Sequence, residues 1–151
     1  SPDPCAAPLL VSLFEIPAGE VPALYAREEE FFIVRAPVQS LDGGDAGTGL
    51  VCAASTDAEY LARRGRAAFD SLYAAHGLTT IWEWEGRILP CRAYLRHCVL
   101  AARKQGAEVA ESFENNTWLW DRTTTVAQHL AADPSIMEEL PPPELAARYS
   151  G

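Results

Sequence analysis

A glycine-rich segment in the first third of the chain constrains the fold more than any other feature. Leu41–Gly49 reads LDGGDAGTG, and its glycines can supply the positive φ angles that tight turns between strands require. The flanking segments Glu30–Val38 and Leu50–Ala54 have the apolar, β-prone character of strands. The sequence therefore predicts an antiparallel β-hairpin, and Leu9–Ile16 (LLVSLFEI) predicts a further strand of the same sheet.

Helical signals lie on both sides of this hairpin. Glu20–Arg27 is expected to form a short helix, with Pro22 in the first turn, where no backbone donor is needed. Thr56 and Glu59 have the spacing of a capping box, which predicts a helix that starts there and ends at Gly77.

The second half of the chain follows a helical pattern as well. Within Pro90–Gln105, an apolar face formed by Tyr94, Leu95, Cys98 and Val99 is expected to lie against the sheet. The remaining segments are predicted to be a short helix up to Phe113, another over Arg122–Ala132, and an extended arm over Pro134–Gly151.

Composition and charge limit the functional classes. The 151 residues, 48% hydrophobic and 22% charged, are typical of one globular domain over residues 1–151, here of α+β class. A net charge of −9 repels phosphate backbones, so we expect no nucleic-acid partner. No apolar run approaches the ~20 residues of a membrane-spanning helix. The chain starts at Ser1 without methionine, which we interpret as a processed product or a fragment.

The cysteines and histidines do not have the spacing of a metal site. Cys5, Cys52, Cys91 and Cys98 include no C-x-x-C pair, so we expect buried, reduced thiols, no metal and no cofactor.

The acidic run Glu28-Glu29-Glu30 lies between the first predicted helix and the hairpin, and two interpretations are open. A run of charges most often forms a solvated surface. Alternatively, one carboxylate points into a cavity of the sheet, where burial would raise its pKa and make it a usable proton acceptor.

Two segments resemble the γ-glutamylcyclotransferase-like family. Val11–Phe31 is similar to its strand, short helix and "L-D-x-x-E" run, and Leu24-Tyr25-Ala26-Arg27-Glu28 matches that run. Pro90–Gly106 is similar to its closing helix, "P-S-x-x-Y-L" followed by "G-A-x-x-x-G". The chain departs from the family at Tyr25, where an aspartate is common, and at Glu29, where a glycine is common. The family's Tyr-Gly-Ser loop is also absent.

The resemblance implies a fold, a reaction and a catalytic residue. The fold would be a small, mainly antiparallel, partly barrel-like sheet with packed helices. Its core would span about residues 9–54 and 90–113, with an insertion over 56–89 and a helical C-terminal extension over 114–151. The implied enzyme cyclises a γ-glutamyl amine or peptide to 5-oxoproline by acyl transfer, with Glu28 as general base. The part that holds the substrate would then lie upstream of Ser1 or on a partner chain, unless the fold is reused without catalysis.

A second function is compatible with the same sequence. The fold can be reused without catalysis, as an interaction subunit that assembles with copies of itself or with other chains. The expected partner is therefore a small γ-glutamyl substrate or a protein. In either case we expect an intracellular, soluble protein, in the cytoplasm or in an organelle such as the chloroplast.

Overall fold

The computed structural model describes residues 10–84 and 88–149. Within these residues the fold is α+β, with seven α-helices and one antiparallel sheet of two strands. The described residues divide into two compact units. Residues 13–84 form the hairpin unit, and residues 10–12 together with 88–149 form the helical unit. The single domain expected over residues 1–151 stays a prediction.

The hairpin unit begins with the predicted short helix. A 3-10 turn over Ala18–Glu20 leads into helix α1, Val21–Arg27, which has Pro22 in its first turn. The hairpin follows as strand β1, Phe32–Gln39, and strand β2, Asp45–Ala53. The strands pair in antiparallel register from Phe32 opposite Ala53 to Pro37 opposite Thr48, which confirms the predicted hairpin.

The glycine-rich segment forms the turn and also part of β2. Gly43 adopts a φ of 85° in the turn, where the Ser40 amide donates to the Gly44 carbonyl at 2.9 Å. Gly47 adopts a φ of 88° beside an irregularity in the register between Pro37 and Gln39. Strand β2 therefore starts at Asp45 and not at the predicted Leu50, because pairing with β1 keeps even this glycine-rich stretch extended.

The predicted third strand over Leu9–Ile16 is wrong for the residues that the structure describes. From Leu10 onward this segment has no regular structure, and Phe14 is 76% exposed. Apolar composition gave a strand signal, but a strand also needs a partner for its backbone hydrogen bonds. With two strands, the sheet is open and is not the partly closed barrel that we expected.

The helices of the hairpin unit start as predicted but are interrupted. The Thr56 hydroxyl accepts a hydrogen bond from the Glu59 amide at 3.2 Å and caps helix α2, Asp57–Arg64. Gly65, with φ 81° and ψ 162°, ends α2, and helix α3 spans Arg66–Leu72. The chain continues as a 3-10 turn over Ala74–His76, which ends at the left-handed Gly77. The predicted single helix from Thr56 to Gly77 is therefore wrong in its middle.

The helical unit contains a compact apolar core. Its elements are helices α4 (Arg92–Lys104), α5 (Ala107–Asn116), α6 (Val126–Ala132) and α7 (Ala146–Tyr149), with 3-10 turns over Pro134–Glu138 and Pro143–Leu145. Leu95 and Val99 are buried among Val126, Leu130 and Ile136. Among the described residues, no helix is both long and apolar enough to cross a membrane.

Three expectations for this half of the chain need correction. Tyr94 is about half exposed, so it is not part of the buried face of α4. The segment from Pro134, expected to be an extended arm, instead forms short helical turns. Ile136 in the first of these turns is fully buried, so the segment packs on the core of the helical unit. Cys52 and Cys91 are exposed and Cys98 is half-buried, all as free thiols, while Cys5 lies outside the described residues.

Candidate functional site

The acidic run forms the turn between α1 and β1. The Glu28 amide donates to the Leu24 carbonyl at 3.0 Å and closes α1, and the Phe31 amide donates to the Glu28 carbonyl at 3.1 Å. All three glutamates are partly buried. The Glu28 side chain is 30% exposed and that of Glu29 is 13% exposed. The run is therefore not the fully solvated surface of the first interpretation.

Two of the three carboxylates are bound by tyrosines from the following helices. The Tyr60 hydroxyl donates to Glu29 Oε1 at 3.1 Å, and the Tyr73 hydroxyl donates to Glu30 Oε1 at 2.5 Å. The two tyrosine rings meet edge to face, with their centres 5.5 Å apart. These contacts fix the acidic turn on α2 and on the residue that follows α3.

The tyrosines act as donors and not as acids. Burial is the main cause that raises the pKa of Tyr73, and its hydrogen bond to Glu30 raises it further. Burial also raises the pKa of Tyr60, and its bond to Glu29 adds to the effect. Both hydroxyls therefore stay protonated at neutral pH and continue to donate to the carboxylates.

Glu28 differs from its two neighbours in its contacts. Its carboxylate meets the Arg27 Nε at 3.4 Å, a long and exposed contact that holds the side chain weakly. In contrast to Glu29 and Glu30, it accepts no tyrosine hydroxyl among the described residues. Glu28 is thus the carboxylate of the run that neither tyrosine holds.

A cavity of about 620 Å³ lies beside this run, within the hairpin unit. Its apolar walls are Pro22, Tyr25, Ala26, Phe31, Phe32 and Ile33. Its charged lining consists of Glu28, Glu29, Arg63 and Arg64. The volume is within the ~300–1,000 Å³ typical of sites for small molecules.

The two arginines of the cavity are bound differently. Arg63 donates to the carbonyls of Glu29 and Glu30 at 3.4 and 3.3 Å and lies 4.2 Å above the centre of the Phe32 ring. Arg64 forms an ion pair with Glu29, with its Nη2 nitrogen 2.5 Å from Oε2. Arg63 therefore stabilises the backbone of the acidic turn, whereas Arg64 orients one of its carboxylates.

Cys52 lies on β2 opposite Ile33, close to the cavity. Burial raises the pKa of its thiol, and the negative charge of Glu28 raises it further. The thiol is therefore protonated at neutral pH, which does not suit a nucleophile.

Glu28, the candidate base that the family resemblance implies, lines the cavity, whereas the polar side chains around it were not expected from the sequence. No motif or spacing in the sequence connects Tyr60, Tyr73 or Arg64 with the acidic run. The one local signal was the choice of tyrosine at these positions, since a buried tyrosine needs a partner for its hydroxyl.

Comparison with protein-family models, with curated proteins and with solved structures finds no match for this chain. Within residues 10–84 and 88–149, no group of three or more metal-ligating side chains is close enough to hold a metal ion. The chemistry of the cavity therefore has to be inferred from its own residues.

Proposed function

We propose that the chain is a γ-glutamylcyclotransferase-like enzyme that converts a γ-glutamyl amine or peptide to 5-oxoproline, with Glu28 as the general base. The observation that carries this proposal is the position of Glu28, which lines a cavity of about 620 Å³ and is not held by a tyrosine. The order of a short helix, this glutamate and an antiparallel hairpin is compatible with the resemblance of Val11–Phe31 to the family.

The reaction needs one group that accepts a proton and later returns it. Glu28 would take a proton from the α-ammonium group of the substrate, and the freed amine would attack the γ-carbonyl carbon. The new C–N bond closes the five-membered ring, and the bond from the γ-carbonyl carbon to the leaving nitrogen breaks. Glu28 passes this proton to the leaving nitrogen and relays the second proton, which the attacking nitrogen loses on ring closure, in the same way, so that 5-oxoproline and a protonated amine or peptide leave.

A direct assay of product tests this proposal. The protein would be incubated with glutathione and with γ-glutamyl dipeptides, and the release of 5-oxoproline would be measured. Glu28→Gln should abolish turnover with little change in unfolding midpoint, because the amide keeps the shape of the carboxylate but cannot act as base. Glu20→Gln, in the exposed turn before α1, is the matched control and should retain activity. Absence of product from every substrate with folded protein would end the proposal.

One observation favours a second candidate, an interaction subunit without catalysis. Val34 and Val51 face each other across the hairpin, and both are more than two-fifths exposed. The two side chains form a small apolar patch, and a contiguous exposed apolar patch can mark a surface that binds another chain. Native mass spectrometry would discriminate between the two functions, since a strict monomer that recovers no partner would argue against a subunit.

A further inference from the structure

Of the two cavity arginines, Arg64 has more guanidinium donors left for a ligand among the described residues. Arg63 uses its nitrogens on Ser55 and on the carbonyls of the acidic turn. Arg64 contacts Glu29 through one nitrogen, and within the described part of the chain no second ion-pair partner of Arg64 is found. A guanidinium carries five N–H donors in a planar fork, which suits carboxylates. Several donors of Arg64 can therefore bind an anionic group in the cavity.

Glu29 and Tyr60 determine where this guanidinium lies. Glu29 binds Arg64 with one carboxylate oxygen and Tyr60 with the other, and the Tyr60 side chain is fully buried. The long Arg64 side chain is thereby fixed before a ligand arrives, which lowers the entropy lost on binding.

The charges that line the cavity balance. Glu28 and Glu29 contribute two negative charges, and Arg63 and Arg64 contribute two positive charges. A ligand with one positive and one negative group keeps this balance, whereas a simple anion or cation does not. A zwitterionic amino-acid group could place its carboxylate at Arg64 and its ammonium at Glu28.

We propose that Arg64 binds the α-carboxylate of the ligand's amino-acid group, with Glu29 as its positioning residue. The inference rests on the proposed function, because it assigns the γ-glutamyl end of the substrate to this cavity. It also explains how a chain without the Tyr-Gly-Ser loop would hold that end of the substrate.

The test measures binding without any reaction. L-Norvaline has the five-carbon amino-acid skeleton of glutamate but no γ-carbonyl, so it cannot be cyclised. Its binding would be followed by calorimetry for the intact protein and for Arg64→Gln, Arg64→Lys and Arg66→Gln. L-Norvalinamide, which lacks the carboxylate, is the second ligand. Arg66 is the matched control, since it lies just beyond Gly65, is exposed and pairs with Asp70.

The expected result is a dissociation constant for norvaline that rises about tenfold or more in Arg64→Gln, the size expected for a lost charge-assisted hydrogen bond. Arg64→Lys should recover part of the affinity, and Arg66→Gln should leave it unchanged. Norvalinamide should bind weakly and equally to the intact protein and to Arg64→Gln. If norvaline fails to bind the intact protein, or binds Arg64→Gln equally well, the proposal is wrong.

Kinetics separate this proposal from the proposed function. If 5-oxoproline forms, Arg64→Gln and Glu29→Gln should raise KM much more than they lower kcat, a split that general loss of structure would not produce. Turnover with an unchanged KM in Arg64→Gln would overturn the assignment of Arg64 but not the enzyme. Binding of norvaline that depends on Arg64, without any turnover, would refute the enzyme and support the amino-acid site.

Discussion

The Tyr60 hydroxyl donates a hydrogen bond of 3.1 Å to Glu29 Oε1, across 31 residues of sequence. Arg64, one helical turn after Tyr60 on the same helix, binds the other oxygen of that carboxylate. Glu29 therefore connects two successive turns of α2 to the turn between α1 and β1. This contact gives the cavity a fixed wall, and the first prediction tests what it contributes to stability.

Tyr60→Phe should lower the free energy of unfolding by about 1 kcal/mol, the usual net value of one hydrogen bond. The effect should not be larger, because Glu29 keeps Arg64 as a partner and phenylalanine fills the same space. Urea denaturation followed by circular dichroism measures the change. Tyr25→Phe, at an exposed position, is the control and should leave stability unchanged. Equal stability of Tyr60→Phe and the unchanged protein would show that the bond contributes nothing.

Local signals in the sequence predicted several elements correctly. The proline at the start of α1, the glycines of the hairpin turn and the cap at Thr56 each act within a few residues, so the sequence shows them directly. The expected strand from Leu9 failed because its pairing partner would be distant in sequence. The break at Gly65 was missed because an isolated glycine inside a helical pattern is often tolerated.

Gly65→Ala should destabilise the protein by about 1–3 kcal/mol, the cost of holding a side chain in a backbone region open essentially to glycine alone. The φ of 81° and ψ of 162° place Gly65 in that region. No atom lies within 4 Å of an added Cβ, so the cost is conformational and not steric. Gly19→Ala is the matched control, since it also has open space and no such φ. Thermal denaturation of both variants checks the difference, and equal midpoints would contradict this prediction.

The candidate site illustrates which part of function a sequence can reveal. Glu28 could be selected because it ends a run that resembles a family motif. Arg64, Tyr60 and Tyr73 reach the acidic run only through the packing of α2 and α3, over separations of more than 30 residues. No spacing rule connects residues so far apart, which is why these contacts required a structure.

Leu95→Ala should cost about 2–5 kcal/mol, as expected for truncation of a buried leucine in a well-packed core. Leu95 is buried together with Val99, Val126 and Ile136, and the smaller side chain would leave a cavity among them. Leu140→Ala is the comparison, because Leu140 is exposed and its truncation should change little. Chemical denaturation reports both values. A Leu95→Ala variant as stable as Leu140→Ala would mean that the core of the helical unit is not packed as described.

Asp121 should give the protein a stability that depends on acid pH. Hydrogen bonds from the Thr124 hydroxyl and from the amides of Thr123 and Thr124 lower the pKa of Asp121 below its ordinary value of 3.8. Between the lowered pKa and 3.8, the unfolded chain binds more protons at this site than the folded chain does. The stabilising contribution is therefore complete above pH 3.8 and disappears as the pH falls through the pKa of the folded state.

Asp121→Asn should consequently be less stable than the unchanged protein at pH 7, and the difference should shrink as the solution is acidified below pH 3.8. Thr124→Val removes the hydroxyl that contributes most to the lowered pKa of Asp121. The pKa of Asp121 in the folded protein should therefore rise toward 3.8, and the stability of this variant should depend less on pH in acid. Unfolding free energies measured by urea denaturation at several pH values between neutrality and strong acid would show both effects. If Asp121→Asn reproduces the full pH dependence of the unchanged protein, the hydrogen bonds to Asp121 do not stabilise its charged form. Its role would then be limited to closing the turn before α6.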